Sequence, residues 1–299
     1  MTDSEPLSAL LPSYLLTLEA RQRSPRTIEL AELYVSRLIS WLKSSGHSEQ
    51  AADISSRRIE EYLVHLKSDL SPTTVRIHYR TVRAFFGWLA VEEEIDSNPF
   101  KKLQQPKAED KPVPIFTQAE LAALVDVCKG RGFEQRRDRA ILFTLIDTGI
   151  RLGELAEMTV ENLHLGTRTA LVDGKTGSRV VPFGPTSIEV IDRYMRVRRS
   201  HTFVDRPELW LGTQGPLGRS GISQILKRRG RQAGLEGVNP HRFRHTFCHD
   251  WLAGGGNEVD LQHIVGWTST QMLQRYARST AADRALDAHQ QFSPANKLR

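Results

Sequence analysis

Cysteine is scarce in this 299-residue chain, and long hydrophobic runs are missing. Cys128 and Cys248 are the only cysteines, which is too few for a disulfide framework and typical of a reducing compartment. No apolar run approaches the roughly 20 residues that cross a bilayer. The start, Met-Thr-Asp-Ser-Glu-Pro, lacks the basic residues of a secretion signal. These absences predict a cytoplasmic protein that does not bind a membrane.

Motifs for nucleotides and metal ions are incomplete. Gly174-Lys175-Thr176 is similar to the end of a phosphate-binding P-loop, but that motif requires a glycine where this chain has Thr169. One histidine-rich helix offers ligand spacing, yet it lacks paired cysteines and carries arginines that would repel a cation. Its residues are His241, Arg242, Arg244, His245, Cys248 and His249. The sequence therefore predicts neither a cofactor nor a bound metal ion.

Positive charge is present, and it is concentrated in the C-terminal two thirds of the chain. The formal net charge is +6. Residues 1–99 hold 11 Lys and Arg against 14 Asp and Glu, a net of −3, whereas residues 100–299 hold 30 against 21, a net of +9. A polyanionic partner would be attracted first to this second part.

The first hundred residues predict a domain of four helices. Apolar residues recur at helical spacing from Leu7 to Leu18. Ser24-Pro25 and Ser71-Pro72 each place an N-cap serine before a proline at the first helical position, and a third helix is predicted at 56–67. Four helices in this length make a compact bundle, which we predict as a domain over residues 1–96.

Residues 97–114 predict an extended linker, because this stretch has four prolines, four lysines and no helical period. A second domain, over 115–299, begins with a capping box at Thr117-Gln-Ala-Glu120. A hydrophobic helix is predicted at 139–148, and two short strands joined by a Gly-rich turn at 169–183. Further helices are predicted at about 185–200, 220–233, 241–253, 258–265 and 280–290. The predicted fold class is mainly α (α+β), with one small β-hairpin or sheet.

Several residues of this second domain are suited to opening a phosphodiester. That reaction needs a nucleophile, an acid for the leaving oxygen, and cationic donors for the charged oxygens. Arg151 and Arg244 fit the last task, because a guanidinium is always charged and offers a planar fork of donors. His241 is a candidate acid or base, and Lys175 could protonate a leaving 5′ oxygen. Tyr276 is a candidate nucleophile, since Arg275 and Arg278 beside it could lower its pKa.

Each of these residues also has a purely structural explanation. Arg151 could form a surface salt bridge with Glu154, and Arg244 could be a partly exposed helix arginine. Lys175 could simply be solvated at a hairpin tip, and Tyr276 could be a buried aromatic. Tyr194 also has basic neighbours, but it falls on the apolar stripe of Ile188, Ile191 and Met195, so we predict that it belongs to the core.

Taken together, these residues resemble the tyrosine recombinase family, which includes phage integrases and Xer-type chromosome resolvases. Thr-Gly-Ile-Arg-Leu-Gly-Glu-Leu at 148–155 looks like the family's first-arginine box, with Arg151 as the arginine and Glu154 in a supporting role. Lys175 matches the family's β-hairpin lysine. His-Arg-Phe-Arg-His at 241–245 resembles the family pattern His-x-Leu-Arg-His, with Phe243 where leucine is common.

Gly266-Trp267 departs from the more usual Gly-His, nine residues before Tyr276. An indole N–H can still donate to a phosphate oxygen, but tryptophan has no titratable group for acid–base catalysis. The resemblance therefore implies six catalytic residues, of which the last is the nucleophile. They are Arg151, Lys175, His241, Arg244, Trp267 and Tyr276.

The resemblance also implies a mechanism and partners. Tyr276 would attack a DNA phosphate to give a 3′-phosphotyrosyl bond, and two rounds of exchange would pass through a Holliday junction without ATP or metal. The partners would be a double-stranded recombination site, which the N-terminal domain clamps from the opposite face, and other recombinase subunits. These would form a homodimer on each site and a tetramer in the synapse, or a hetero-oligomer with a second recombinase. The last helix would be exchanged between neighbouring protomers.

Two other functions stay open at this point. A type IB topoisomerase uses the same chemistry on one duplex, and a DNA-binding protein that has lost catalysis would keep the fold. For a recombinase, both chromosome dimer resolution and integration of a mobile element agree with the sequence.

Overall fold

The computed structural model describes residues 5–107, 114–174 and 177–267, together with the single residues 269, 289 and 293. The chain divides into two compact units, Met1–Lys111 and Pro112–Arg299. Helices dominate both units, and the short antiparallel strands lie in the second, which confirms the predicted fold class. Within these described ranges, no helix is both long and apolar enough to cross a membrane.

The first unit contains the four predicted helices. They are α1 (Leu7–Ala20), α2 (Pro25–Ser44), α3 (Ser56–Asp69) and α4 (Pro72–Val91). The side chains of Ser24 and Ser71 accept the backbone N–H groups of Thr27 and Thr74, each at 3.3 Å. These are the N-cap bonds that the Ser-Pro pairs predict, because the first backbone donors of a helix have no partner within it.

Aromatic side chains from α1, α3 and α4 lie among aliphatic ones in the core of this unit. Tyr14, Phe85 and Trp88 form one cluster, with the Tyr14 and Phe85 ring centroids 5.1 Å apart. The proline-rich stretch begins against this core, since Phe100 is only 1% exposed and the Tyr79 hydroxyl donates to the Leu103 carbonyl at 2.7 Å. Residues 98–103 therefore add to the packing of the bundle.

The second unit opens with three helices. They are α5 (Gln118–Asp126), α6 (Phe133–Thr148) and α7 (Leu152–Ala156). The capping box of α5 is confirmed, because Thr117 Oγ1 accepts the Glu120 N–H and the Glu120 carboxylate accepts the Thr117 N–H. Helix α6 begins six residues before the predicted start at 139. Its first turns bury an ion pair between Arg137 and Asp138, and these charges interrupt the apolar period that the sequence prediction followed.

Two small antiparallel sheets follow. The first has the order β1 (Leu163–His164), β2 (Thr169–Gly174) and β3 (Gly177–Pro182), and the second pairs β4 (Leu211–Gly212) with β5 (Gly215–Pro216). Strands β2 and β3 form the predicted hairpin. Directly opposed residues lie on the same face of a sheet. The pairs Ala170–Val181 and Val172–Arg179 therefore put Arg179 on the face that carries buried Val172 and Val181.

Four further helices lie in the described part of the second unit. They are α8 (Pro185–Arg198), α9 (Arg219–Gln232), α10 (Pro240–Ala253) and α11 (Glu258–Val265), each within two residues of its predicted bounds. The helix predicted at about 280–290 lies outside the described residues, apart from residue 289. Tyr194 is fully buried, and its hydroxyl donates to the Leu209 carbonyl at 2.9 Å. The prediction that Tyr194 belongs to the core is thus confirmed.

Candidate active site

A glycine turn brings the end of α6 against α10. Gly149 ends α6 with a φ of +56°, a left-handed conformation that glycine adopts without strain. A Cβ atom there would lie 2.7 Å from Cδ1 of Phe247 on α10. Only glycine allows this approach, and it places Arg151 directly before the first residue of α7.

Arg244 lies on α10 and points into the second unit, where it is only 6% exposed. Its guanidinium donates from Nη1 to the Gly149 carbonyl at 2.9 Å and from Nη2 to the Val265 carbonyl at 2.7 Å. Burial, and then the charge of Arg151, lower the pKa of Arg244 to about 10. The side chain therefore stays cationic at neutral pH. Its burial excludes the partly exposed helix arginine that the sequence left open.

Arg151 forms an ion pair with Glu154, as its structural explanation predicts. The carboxylate of this pair is buried, however, so the pair is not a surface salt bridge. Arg151 Nη1 lies 2.9 Å from Glu154 Oε1, and the Glu154 side chain is only 3% exposed while that of Arg151 is 38% exposed. The second Glu154 oxygen accepts the backbone N–H of Arg151 at 3.0 Å. One buried carboxylate therefore orients both the main chain and the side chain of Arg151.

A second arginine completes the partners of Glu154. Arg179 on β3 donates to both carboxylate oxygens, with Nη1–Oε1 and Nη2–Oε2 distances of 2.8 Å each. Burial alone would raise the pKa of Glu154, but the hydrogen bonds from Arg179 and Arg151 outweigh it and lower the pKa to about 2. Glu154 is therefore ionised at physiological pH, between two cations.

The C-terminus of α11 connects all three arginines. Arg179 donates to the carbonyl of Ile264, Arg244 to that of Val265, and Arg151 to that of Gly266, at 2.8, 2.7 and 2.9 Å. The last carbonyls of a helix have no partner within it and form the negative end of its dipole, so cationic donors stabilise them. Three consecutive carbonyls thus hold three guanidinium groups in one place.

Trp267 follows this helix end directly. Gly266 has a φ of +66° and ends the helix in a Schellman-type turn, in which the N–H of Trp267 donates to the Gln262 carbonyl at 3.0 Å. The Trp267 side chain is 8% exposed, and its ring centroid lies 5.5 Å from the Arg244 guanidinium carbon. The indole is therefore adjacent to the arginine cluster, packed beside Leu261 and Val265.

The structure brings three of the six predicted site residues into one cluster and places a fourth on one of its helices. Arg151, Arg244 and Trp267 meet at the end of α11. His241 is exposed in the first turn of α10, three residues before Arg244, so the two share a face of the helix. Lys175 and Tyr276 lie outside the described residues.

Metal binding has no support among the residues that the structure describes. No group of three or more His, Cys, Asp and Glu residues there is arranged to hold a metal ion. Cys248 is fully buried, and burial raises the pKa of its thiol to about 12. A thiol is a poor metal ligand until it is deprotonated.

Comparison with known proteins decides which family has this arrangement. The sequence model of the phage integrase family matches residues 114–283, and that of the phage integrase N-terminal SAM-like domain matches residues 11–93. Tyrosine recombinase XerC of Staphylococcus carnosus (strain TM300) is 32% identical, over 72% of this chain and 74% of that protein. Tyrosine recombinase XerD of Chlorobaculum tepidum (strain ATCC 49652 / DSM 12025 / NBRC 103806 / TLS) is 30% identical, over 97% of this chain and 98% of that protein.

This chain belongs to the phage integrase family. It is a Xer-like tyrosine recombinase, an enzyme that cleaves and rejoins DNA in site-specific recombination.

Solved structures share the fold of this recombinase. The Tn1549 transposon integrase in complex with transposon right end DNA matches with a TM-score of 0.77 and 20% identity, over 95% of this chain and all of that one. The XerH recombinase bound to a palindromic difH substrate matches with a TM-score of 0.76 and 18% identity, over 94% of this chain and 84% of that one.

One charged residue of the recombinase cluster was missed by the sequence analysis. Arg179 is absent from the predicted site, although strand alternation contains a signal for it. It stands two residues before Val181, which is 1% exposed, so both lie on the buried face of β3. An arginine on a buried strand face requires an acidic partner, and the sequence alone does not identify Glu154, 25 residues earlier, as that partner.

We expect Glu154→Gln to lower the free energy of unfolding of the recombinase by about 3 kcal/mol at pH 7. Folding lowers the pKa of Glu154 from 4.5 to about 2. The carboxylate therefore stabilises the fold above about pH 4.5, and this contribution is lost as the pH falls towards 2. Denaturant unfolding at several pH values measures the difference between parent and variant, which should shrink over that window.

Glu161→Gln is the matched control, because Glu161 lies in the same unit and is exposed. It should leave the free energy of unfolding unchanged within about 0.5 kcal/mol. A Glu154→Gln difference that stays constant from pH 7 to pH 3 would contradict the ionised, doubly paired carboxylate.

Proposed function

We propose that this recombinase exchanges strands at a specific DNA site through a 3′-phosphotyrosyl intermediate formed by Tyr276. The observation that carries the proposal is the meeting of Arg151 and Arg244 at the adjacent carbonyls of Gly266 and Val265, beside Trp267. Arg151 and Gly266 are 115 positions apart in the chain, so tertiary packing rather than local sequence brings the two cations to one point.

The two guanidinium groups are suited to bind the non-bridging oxygens of one phosphate. Each has five N–H donors in a planar fork. Their hydrogen bonds to Glu154 and to the carbonyls of Gly149, Val265 and Gly266 use two donors of each group. Further donors can therefore reach a phosphate, with the indole N–H of Trp267 as an additional candidate. Partial burial strengthens these interactions, because the local dielectric constant is lower than that of water.

The cleavage step then assigns a role to each remaining residue. The Tyr276 phenol gives its proton to a base, a role that we assign to His241, and its oxygen attacks phosphorus to form the phosphotyrosyl bond while the bond from phosphorus to the 5′ oxygen breaks. Lys175 donates a proton to that oxygen, which leaves as a 5′-hydroxyl. His241, on the same helix as Arg244, contributes to phosphate binding and acid–base chemistry. The cations favour attack, because a phenol with a pKa near 10 is a weak nucleophile unless its phenolate is stabilised.

Strand exchange follows from the reverse reaction. The 5′-hydroxyl of a partner duplex returns a proton to Lys175 and attacks the phosphotyrosyl phosphorus, and Tyr276 leaves and regains its proton from His241. One phosphate ester replaces another of similar free energy, so the exchange needs no nucleotide hydrolysis. Two such rounds convert paired duplexes into recombinants through a Holliday junction, either to resolve chromosome dimers or to insert and excise a mobile element.

The two units have separate tasks in this proposal. Residues 1–96 act as the core-binding domain, 97–114 as the linker and 115–299 as the catalytic domain. The two family matches, to 11–93 and 114–283, support this division. The proposed assembly is a dimer on each double-stranded site and a tetramer in the synapse, or a hetero-oligomer with a second recombinase. The proposed location is the cytoplasm, where chromosomal DNA is accessible.

A trapping experiment tests the proposed function. DNA that becomes covalently attached to the protein in its own cells is recovered under denaturing conditions and sequenced at the junction. A duplex of that sequence, with a nick beside the cleaved bond, traps the intermediate because a short fragment with the 5′-hydroxyl diffuses away. A covalent adduct and, on intact duplexes, recombinant products are expected. Relaxed plasmid without recombinants would indicate a topoisomerase, and the absence of any adduct would indicate a DNA-binding protein without catalysis.

We expect the affinity for this duplex to fall steeply with salt. A protein that neutralises six or more phosphates loses roughly 10³-fold in affinity between 50 and 200 mM salt, because bound counterions are released. The net charge of +9 on residues 100–299 supports contacts of this kind. Fluorescence anisotropy at four salt concentrations measures the slope. A change of less than about threefold over this range would contradict binding through the phosphate backbone.

A further inference from the structure

We propose that Arg179 is a positioning residue for strand cleavage, which holds Arg151 through Glu154 and the Trp267 turn through the Ile264 carbonyl. The inference rests on the proposed function, since it assigns a role in that reaction. Arg179 is not among the six catalytic residues that the family resemblance implies.

The donors of Arg179 point to two different elements. Its side chain is 13% exposed, and its two Nη atoms meet both oxygens of Glu154 on α7. Its Nε donates to the Ile264 carbonyl on α11 at 2.8 Å. A bidentate pair fixes the plane of both partners, which a single ionic contact does not do. Strand β3 is thereby linked to α7 and to the end of α11 through one rigid side chain.

This geometry determines where Arg151 points. The Glu154 oxygens that bind Arg179 also accept the backbone N–H and Nη1 of Arg151. Loss of Arg179 would free the carboxylate to rotate, and Arg151 would rotate with it. Misplacement of a catalytic group by about 1 Å can reduce a rate roughly 10²-fold.

Charge supports the same role. Glu154 carries one negative charge, and Arg151 and Arg179 carry one positive charge each, so the three together have a net charge of +1. Without Arg179, the Glu154 carboxylate would neutralise Arg151 in a largely buried setting. Arg179 therefore leaves the positive charge of Arg151 available to a phosphate.

Two glycines accommodate these side chains. A Cβ atom at Gly174 would lie 2.7 Å from Glu154 Oε1, and one at Gly266 would lie 3.0 Å from Arg179 Nη1. Both distances are shorter than ordinary contacts, so larger residues would displace the carboxylate or the guanidinium. The end of β2 and the end of α11 thus pack directly against the Glu154–Arg179 pair.

The test compares two substrates with Arg179→Met and Arg179→Lys. One nicked duplex carries the recovered site with its natural phosphodiester, and the other carries a methylphosphonate at the cleaved position. The methyl group replaces one non-bridging oxygen and removes the negative charge that Arg151 would neutralise. The measured quantities are the rate of adduct formation at saturating protein and the dissociation constant of the duplex.

For Arg179→Met we expect cleavage of the natural diester to be about 10- to 100-fold slower, with the dissociation constant within about threefold of the parent value. On the methylphosphonate the deficit should shrink to less than about fivefold, because charge neutralisation no longer limits the rate. Arg179→Lys keeps the positive charge but not the planar fork of donors. Its cleavage deficit on the diester should therefore lie between those of the parent and of Arg179→Met. If the methionine variant does not fold, the deficit of Arg179→Lys on the two substrates tests the inference in its place.

The control is Arg199→Met, which removes one exposed arginine from the second unit and should cleave like the parent. An equal deficit of the Arg179 variants on both substrates would indicate a structural role only, and the absence of a deficit would exclude any role in cleavage. Either result would overturn the inference. Failure of the unmodified protein to form an adduct on the natural diester would instead refute the proposed function.

Discussion

Tyr276→Phe should bind the recovered DNA site with unchanged affinity and form no covalent adduct. The substitution removes one oxygen, which in the proposed reaction forms the bond to phosphorus. Phenylalanine has no nucleophilic atom in its place, so the expected loss is complete to the detection limit of a denaturing gel. DNA affinity depends mainly on phosphate contacts, and a phenol-to-phenyl change leaves those contacts in place.

Tyr194→Phe is the matched control for this experiment. Its hydroxyl is buried, donates to the Leu209 carbonyl and accepts the Leu211 N–H at 3.1 Å. The loss of these bonds should lower the free energy of unfolding by about 1–3 kcal/mol and leave adduct formation by the folded protein intact. Adducts with Tyr276→Phe, or their loss only with Tyr194→Phe, would show that the nucleophile is assigned to the wrong residue.

Arg244→Ala should reduce the cleavage rate by about 10²- to 10³-fold while DNA affinity changes by less than about fivefold. The phosphate gains negative charge on its non-bridging oxygens as the nucleophile adds, so a cation at this point stabilises the transition state more than the bound substrate. Single-turnover cleavage at saturating protein measures the first quantity, and equilibrium binding measures the second. Equal losses in rate and affinity would contradict the role of Arg244.

Folding must be separated from catalysis in this variant. Truncation of Arg244 leaves the carbonyls of Gly149 and Val265 without a donor, so stability should also fall. Arg242→Ala serves as the control, because Arg242 lies on the same helix but pairs with Glu120 and lies 3.9 Å from the Phe116 ring centroid. It should lower stability and leave the cleavage rate of the folded protein within about threefold of the parent value.

Local signals in the sequence predicted much of this fold correctly. Ser24-Pro25 and Ser71-Pro72 identify the starts of α2 and α4, and the capping box identifies α5, because each signal satisfies backbone donors within one turn. The predicted start of α6, at residue 139, was wrong, and the reason is also local. Arg137 and Asp138 are charged but buried, so the apolar period does not reveal the first turns of that helix.

The composition of the candidate site was predictable, but the contacts that hold it together were not. Arg151 and Arg244 could be selected because a phosphate needs planar cationic donors. Their meeting at the carbonyls of α11 depends on tertiary packing between positions 115 and 21 residues apart. Neither helical periodicity nor a helix-capping motif indicates such long-range contacts. For Arg151, the salt bridge and the phosphate-binding role, which the sequence presents as alternatives, are compatible. The ion pair with Glu154 orients the guanidinium group.

The central claim is that these side chains surround one phosphate, which the oxygen of Tyr276 attacks. Mass spectrometry of the trapped adduct tests it most directly, after the protein is digested and the DNA is trimmed to a few nucleotides. We predict a single modified peptide, with the 3′-phosphate of the cleaved strand esterified to Tyr276, and a 5′-hydroxyl on the released fragment. Attachment to any other residue, or through a 5′-phosphate, would contradict the claim.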